Sequence, residues 1–254
     1  MIIAITREVS RRFAECEITH IERTPINVET ARAQHREYTR LLASLGCKVI
    51  ELPEEAHLPD SVFVEDTAVI LPELAVITRP GADTRKPETE SVARALSPFR
   101  RLAHITAPAT LDGGDVLVVG KQIYVGMSTR SNAEGIHQLR EVLGGYGYTV
   151  TGVELDDCLH LKSAVTRVND STLLINKDWV DKSRFKNFDL IEIDPSEPYS
   201  ANCLPVRDAI VFPAAFPKTR AKLEERGFNA VTVNVDELAK AEGAVTCCSL
   251  IVAD

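Results

Sequence analysis

Thr246-Cys247-Cys248-Ser249-Leu250-Ile251-Val252-Ala253 stands at the end of the chain and reads as half of a repeating unit. A polar stretch with two adjacent cysteines opens into a short apolar strand, and no second strand follows. Four earlier segments begin the same way and carry the continuation. Asp60-Ser61-Val62-Phe63-Val64-Glu65-Asp66 is followed by Ala75-Val76-Ile77-Thr78-Arg79-Pro80-Gly81. Leu111-Asp112-Gly113-Gly114-Asp115-Val116-Leu117-Val118-Val119 is followed by Ile123-Tyr124-Val125-Gly126. Leu159-His160-Leu161-Lys162-Ser163-Ala164-Val165 is followed by Ser171-Thr172-Leu173-Leu174-Ile175, and Asn202-Cys203-Leu204-Pro205-Val206 by Ala209-Ile210-Val211-Phe212-Pro213. In each, a polar or special residue opens a strand, a turn leads to a second strand, and a polar loop leads to a helix. The missing partner of the last segment is expected in Met1-Ile2-Ile3-Ala4-Ile5-Thr6-Arg7, a strand with nothing in front of it.

Helical spacing of apolar residues predicts helices over 31–46, 88–96, 132–143 and 219–227, with a weaker one over 178–185. The first ends on Gly46, a usual C-terminal stop. Strands are expected after them at 48–52, 101–105, 148–155, 190–193 and 230–235. The unit is therefore β-β-α-β, five times over, with a period of about 40–55 residues that implies radial or stacked architecture. We expect an α/β fold in one domain over residues 1–254: a five-bladed α/β-propeller with pseudo-fivefold symmetry. Pairing of the N- and C-terminal strands closes it, and a closed ring leaves no exposed sheet edge. An ordinary α/β sandwich with coincidental spacing is the rival, but it does not explain strands at both ends. The ring places one opening per blade on a common axis: Asp60 to Asp66, Asp112, His160, Asn202 and Cys247.

Composition narrows the function. The 254 residues, 44% apolar and 26% charged, suit a globular protein. No apolar run approaches the roughly 18 residues of a transmembrane helix. The N-terminal apolar run is short and meets Glu8 early, which fits a strand rather than a signal peptide and leads us to expect a cytoplasmic protein. A net charge of −8 without a basic cluster argues against nucleic acid and mildly favours a cationic small substrate. Six cysteines with no C-x-x-C pair suit neither a disulfide framework nor a structural zinc site.

The axial set holds a thiol, an imidazole and several carboxylates. Thiol and imidazole are the minimum for cysteine nucleophilic catalysis. Paired carboxylates match the fork of a guanidinium. Attack at a guanidinium carbon also needs an acid for the departing amine, which His160 supplies. Alternation along a strand sends Cys247 and Cys248 to opposite sides, so at most one faces the axis. Taken singly, Cys247 reads as a buried structural cysteine as readily as a nucleophile, His160 as a core histidine, and Asp60 and Asp112 as turn residues. Arg85 and Arg130 follow the second strands of their blades, as Arg220 does, where solvated residues at helix starts are the ordinary finding. Two such arginines on an axis would clamp a carboxylate.

The openings quoted above, taken together, resemble the dimethylarginine dimethylaminohydrolases (dimethylargininases), of the guanidino-group-modifying superfamily of five-bladed α/β-propellers (penteins). The resemblance covers essentially the whole chain. It implies a nucleophile at Cys247, a general acid/base at His160, and an orienting partner at Asp112, where some relatives have Glu. It implies guanidinium and main-chain amine contacts at Asp60, Glu65 and Asp66, and carboxylate-binding arginines at Arg85 and Arg130. A lid loop is implied to contact substrate through the backbone of Ile18, where relatives often have Leu, and a late loop through that of Ala241.

The chemistry implied is hydrolysis of Nω-methylated arginines to citrulline plus methylamine or dimethylamine, through an S-alkylthiouronium on Cys247. It needs no metal or organic cofactor, and zinc is expected only as an inhibitor at Cys247 and His160. The expected partner is a small molecule, with no nucleic acid or membrane; a homodimer is allowed. Arginine deiminase chemistry is the enzymatic rival, although those enzymes carry an inserted helical segment not visible here. A carboxylate clamp favours an amino acid over agmatine. A non-catalytic binding module, like the ribosome anti-association factor of this fold, predicts no Cys/His/carboxylate set on the axis.

Overall fold

A computed structural model describes residues 1–253, in which the apolar segments form five three-stranded sheets. Each sheet has one build. The second strand takes the centre, antiparallel to the first and parallel to a third that is reached through a crossover. The first blade is Ala68–Ile70, Leu74–Ile77 and Arg101–His104. The second is Val116–Val119, Gln122–Met127 and Thr149–Glu154. The third is Val165–Arg167, Thr172–Ile175 and Asp189–Glu192. The fourth is Leu204–Val206, Ala209–Pro213 and Asn229–Val233. The fifth joins the chain's ends, with Leu250–Ala253 antiparallel to Ile2–Arg7 (Ile3 opposite Val252, Ile5 opposite Leu250) and Lys48–Leu52 parallel to it. The expected closure of the ring is what the structure shows.

The central strands are apolar on both faces, as expected where a sheet is covered on both sides. Leu74–Ile77, Thr172–Ile175 and Ala209–Pro213 are buried throughout. Alternate residues enter alternate wedges between blades. Val69 and Val76 pack with Val116, Ile123 and Val125. Ala68, Ala75 and Ile77 turn the other way, to Ile3, Ile5, Leu250 and Val252. Five such clusters lie one between each pair of neighbouring blades. No blade buries its own apolar faces alone, which is the physics of a repeat architecture.

The helices follow their local signals. Val28–Ser44 starts at Asn27, whose Oδ1 accepts from Thr30 N at 3.0 Å, and the chain leaves it through Gly46 at φ +85°. Its buried face, Ala31, Gln34, His35, Tyr38 and Leu42, has helical spacing. Glu88–Leu96 matches its expected span. Ala133–Leu143 is capped by Asn132, and Pro217–Glu225 begins on its proline, two residues earlier than expected. The weak helix over 178–185 is only a short 3-10 turn, Lys182–Phe185, pinned by buried Phe185. Among the described residues no helix is long and apolar enough to cross a membrane.

The openings of the units differ from expectation. They are turns and short helices, and the first strand of each blade starts later. Val64–Thr67 and Gly113–Asp115 are 3-10 turns, Leu161–Ala164 is one helical turn, and Cys247 and Cys248 lie in a turn before Leu250–Ala253. Backbone groups here bond locally or across blades instead of joining a ladder: Phe63 N to Asp60 O at 2.9 Å, Asp115 N to Asp112 O at 3.1 Å, Glu65 N to Cys247 O at 3.1 Å. The axis is thus ringed by turn residues, and the strands radiate from it.

Candidate active site

The turn that carries Cys247 is held from several sides. Tyr38 Oη donates to Val245 O at 2.7 Å. Thr246 N donates to Asn202 Oδ1 at 3.1 Å, and Thr246 Oγ1 accepts from Asn202 Nδ2 at 2.9 Å and donates to Glu65 Oε2 at 2.8 Å. Gly243 lies against Phe63, and a Cβ there would stand 2.1 Å from the ring. Cys247 Sγ accepts from Ala244 N at 3.3 Å and is half-buried. Cys248 is fully buried in an apolar cluster, its Sγ 3.6 Å from Ala244 O. The two thiols do face different ways, but a turn separates them, not the alternation of a strand.

His160 precedes the turn Leu161–Ala164. Its Nε2 lies 3.1 Å from Asp112 Oδ2 and its Nδ1 3.8 Å from Asp66 Oδ1. Asp66 is fixed in turn by Gly114 N at 2.9 Å and Arg85 Nη1 at 2.6 Å. Gly114 makes room for the approach, because a Cβ there would be 2.6 Å from both His160 Nδ1 and Asp66 Oδ1. Burial alone would lower the imidazole's proton affinity, but Asp66, Asp115 and Asp112 outweigh it and raise its pKa to about 9. Burial pushes Asp66 up, yet His160, Arg85 and Gly114 N–H bring it down to about 2. The Cys247 thiol is pushed well up by burial and by Glu65 and Asp66, against the Ala244 N–H and Lys162. The free site therefore pairs a neutral thiol with an imidazolium.

Both arginines are buried, not solvated, and hold acids of the protein. Arg85 donates to Asp66, to Glu88 and to the main-chain oxygens of Asp60 and Phe63. Arg130 reaches the loop around residue 18, with Nη2 3.3 Å from Glu17 Oε2 and 3.1 Å from Thr19 Oγ1. Arg220, in contrast, is only half-buried and pairs with Glu224 along its helix. Asp60 accepts from Glu17 N at 3.2 Å, and burial raises its pKa against the pull of Arg85. Ile18 is half-buried against the cluster that holds Ala241. Glu242 stands next to Ala241 at φ +60°, and its carboxylate accepts from Thr19 N and His20 N, both at 2.7 Å.

Cys247, His160, Glu65, Gly114 and Lys162 line one cavity of about 210 Å³, with His20 and Ile21 on one side and Trp179, Tyr199 and Phe216 on another. Asp60, Asp66, Asp112, Arg85 and Arg130, each at most 7% exposed, do not line it, and neither do Ile18 and Ala241. Glu65 binds Lys162 Nζ at 2.5 Å. That pair also lines a cavity of about 530 Å³ on the opposite face, so it forms the floor between the two. Lys162, Thr246, Glu17 and Glu242 were not singled out from the sequence. Lys162 and Thr246 lie inside the unit openings, which was the available signal, whereas Glu17 and Glu242 belong to loops without a repeat pattern.

Oxygen and nitrogen atoms of Asp66, Asp112 and His160 lie within 4.8 Å of one another. The carboxylates of Asp112 and Asp66 stand 3.1 and 3.8 Å from the two ring nitrogens of His160, an arrangement suited to proton transfer.

A family model for N,N dimethylarginine dimethylhydrolase (eukaryotic) matches residues 17–252. The chain is 38% identical over 249 residues to the N(G),N(G)-dimethylarginine dimethylaminohydrolase of Streptomyces coelicolor, covering 97% of this chain and 95% of that one. It is 37% identical over 222 residues to the N(G),N(G)-dimethylarginine dimethylaminohydrolase of Pseudomonas aeruginosa, covering 87% of each. Among solved structures, a cysteine-to-serine form of the Pseudomonas aeruginosa enzyme complexed with citrulline superimposes with a TM-score of 0.94 at 34% identity, over 98% of both chains. A histidine-to-glycine dimethylarginine dimethylaminohydrolase in adduct with S-methyl-L-thiocitrulline gives 0.95 at 34% identity, over 99% of this chain and 100% of that one. The N-terminal domain of ArgZ, an arginine dihydrolase, shares the fold with a TM-score of 0.88 at 19% identity, over 100% of this chain and 98% of that one.

Proposed function

The chain belongs to the dimethylarginine dimethylaminohydrolase family, and we propose that it hydrolyses Nω-methylated arginines to citrulline plus methylamine or dimethylamine. The observation that carries this reading is that Cys247 and His160 line one cavity, with carboxylates on both nitrogens of the imidazole. In this reading Asp66 and Glu65 receive the substrate guanidinium; both oxygens of Glu65 are already bonded, but each keeps a second lone pair. Asp60 takes the α-amine, and Ile18 and Ala241 offer main-chain oxygens. Arg130 takes the α-carboxylate in exchange for Glu17, and Arg85 adds the Nη1 hydrogen that Asp66 leaves free.

The cationic guanidinium offsets the two carboxylates that hold the Cys247 proton on, so the thiolate forms when substrate binds and its proton leaves to solvent. Sulfur then bonds to the guanidinium carbon. His160, already protonated, gives its proton to the departing nitrogen; the C–N bond breaks and the amine leaves neutral. Asp112 keeps the ring in place. The neutral imidazole next takes a proton from water as the oxygen bonds to the same carbon, and the C–S bond breaks to release citrulline and the thiol. The sequence of steps draws on no metal or organic group, and zinc at Cys247 and His160 would only inhibit. The ring works as one catalytic unit on a small molecule, and six free cysteines support a reducing, cytoplasmic setting.

The test is citrulline release from dimethylarginine, monomethylarginine and arginine, compared by kcat/KM. Either methylated substrate should exceed arginine by at least about tenfold, the size of preference that roughly one methyl-shaped contact gives. Equal or faster turnover of arginine would reject the methylated substrate.

A further inference from the structure

Asp115 is fully buried and stands behind the cavity, at the end of the turn Gly113–Asp115. Its Oδ1 accepts from Leu161 N at 3.0 Å, the first amide after His160. Its Oδ2 accepts from Ser128 Oγ and Ser131 Oγ, both at 2.6 Å. Each hydroxyl then serves a main-chain amide of the site. Ser131 Oγ accepts from Asp112 N at 3.0 Å, and Ser128 Oγ accepts from Arg130 N at 3.0 Å and Ser131 N at 3.2 Å. Gly126 leaves space for the carboxylate, since a Cβ there would come within 2.7 Å of Oδ1. Burying a carboxylate costs several kcal/mol unless bonds and charges offset it; here three donors converge on it, and an amide could have taken the bond from Leu161 N but not those from both serine hydroxyls.

We propose that Asp115 is a positioning residue for the reaction: one buried carboxylate ties His160, Asp112 and Arg130 together and supports the cationic ring of His160. The inference rests on the reading of His160 as the acid. His160 faces Asp66 on the turn Val64–Thr67, Asp112 and Asp115 on either side of Gly113–Gly114, and, beyond Asp66, Arg85. Asp115 itself faces His160, Asp112 and Cys158. Removing its charge takes away one of three carboxylates that hold the proton on the ring.

Asp115→Asn keeps an oxygen for Leu161 N, removes the charge and puts an amide donor where Oδ2 accepts from Ser128 and Ser131, a loss that the two serine variants report without the change of charge. The alkaline limb of kcat should move down by about one pH unit, and kcat on the old plateau should fall roughly tenfold. Ser128→Ala keeps the charge but frees the Arg130 loop, so KM should rise several-fold more than kcat falls. Ser131→Ala should lower kcat with the limb held. An Asp115→Asn protein that folds, keeps its limb and stays within about twofold of the parent kcat overturns the proposal. If that variant does not fold, unchanged kcat and KM in both serine variants overturn it instead. His160→Asn run alongside separates the two readings. Turnover at the parent rate there rejects His160 as the acid, whereas an inactive His160→Asn with an unmoved limb in Asp115→Asn rejects only the role of Asp115.

Discussion

Cys247 and Cys248 share a peptide bond and little else. One lines the cavity; the other is fully buried among apolar side chains. Cys247→Ser should bind dimethylarginine and release no citrulline, because a serine hydroxyl is a far weaker nucleophile without a base to activate it. Cys248→Ser should keep kcat within a few-fold of the parent and lose about 1–3 kcal/mol of stability by burying a hydroxyl, read from denaturant unfolding. Wild-type kcat in Cys247→Ser, or lost turnover in a folded Cys248→Ser, would assign the nucleophile elsewhere. His160 adds a pH prediction with a definite sign. Its pKa is raised from 6.5 to about 9 in the fold. The raised value means that its contribution to stability is full below about pH 6.5 and fades as pH rises through about 9. The leaving-group step needs the imidazolium, so kcat should fall across the same upper range. Denaturant midpoints taken across that range should drop in the parent and drop less in His160→Asn; equal drops would place the titration on another group.

The loop over residues 17–20 and the turns divide what is legible in the sequence from what is not. Residues 17–20 are held by Glu242, Arg130, Thr84 and Asp60. Glu242→Ala frees two amides that its carboxylate serves. KM should rise by about three- to tenfold with kcat changed less, the loss of roughly one ordinary hydrogen bond, and proteolysis within residues 17–23 should quicken. Unchanged KM and protease resistance would show that the loop is held without it. The blades were legible because central strands such as Leu74–Ile77 are apolar runs between turn signals, and because helix ends such as Gly46 carry their own chemistry. The openings were misread as strands. Val62, Phe63 and Val64 are an apolar run with no turn signal of its own, and bonds such as Phe63 N to Asp60 O and Glu65 N to Cys247 O show that the backbone is engaged elsewhere. Asp112, His160 and Cys247 were still found on the axis, since repeat position is kept whether the opening is a strand or a turn. Arg85 was legible as a cation near the site, but not as a strut carrying Asp66 and Glu88, because those contacts join residues that no local pattern relates.

On the scale of the whole molecule, the fifth blade couples the chain's two ends to the site. Ile2–Arg7 pairs with Leu250–Ala253, which follows the turn of Cys247 directly. Ile5 is fully buried in the wedge between the fifth and first blades. Ile5→Ala should cost about 2–5 kcal/mol, the range for truncating a buried aliphatic side chain. How that loss is reported depends on the architecture. Trp179 is the only tryptophan and packs against the third blade's cluster, away from Ile5. Each wedge is shared by two blades, so loosening the fifth removes one wall of the first and one of the fourth, and the damage passes round the ring. Tryptophan fluorescence and far-ultraviolet circular dichroism should therefore shift together, with one midpoint in the parent and one lower midpoint in Ile5→Ala. Were the blades to fold independently, Trp179 would keep the parent midpoint while the dichroism split in two. A joint shift would also mean that the stability of the Cys247 turn is a property of the closed ring, with every wedge contributing to how firmly Cys247 is held.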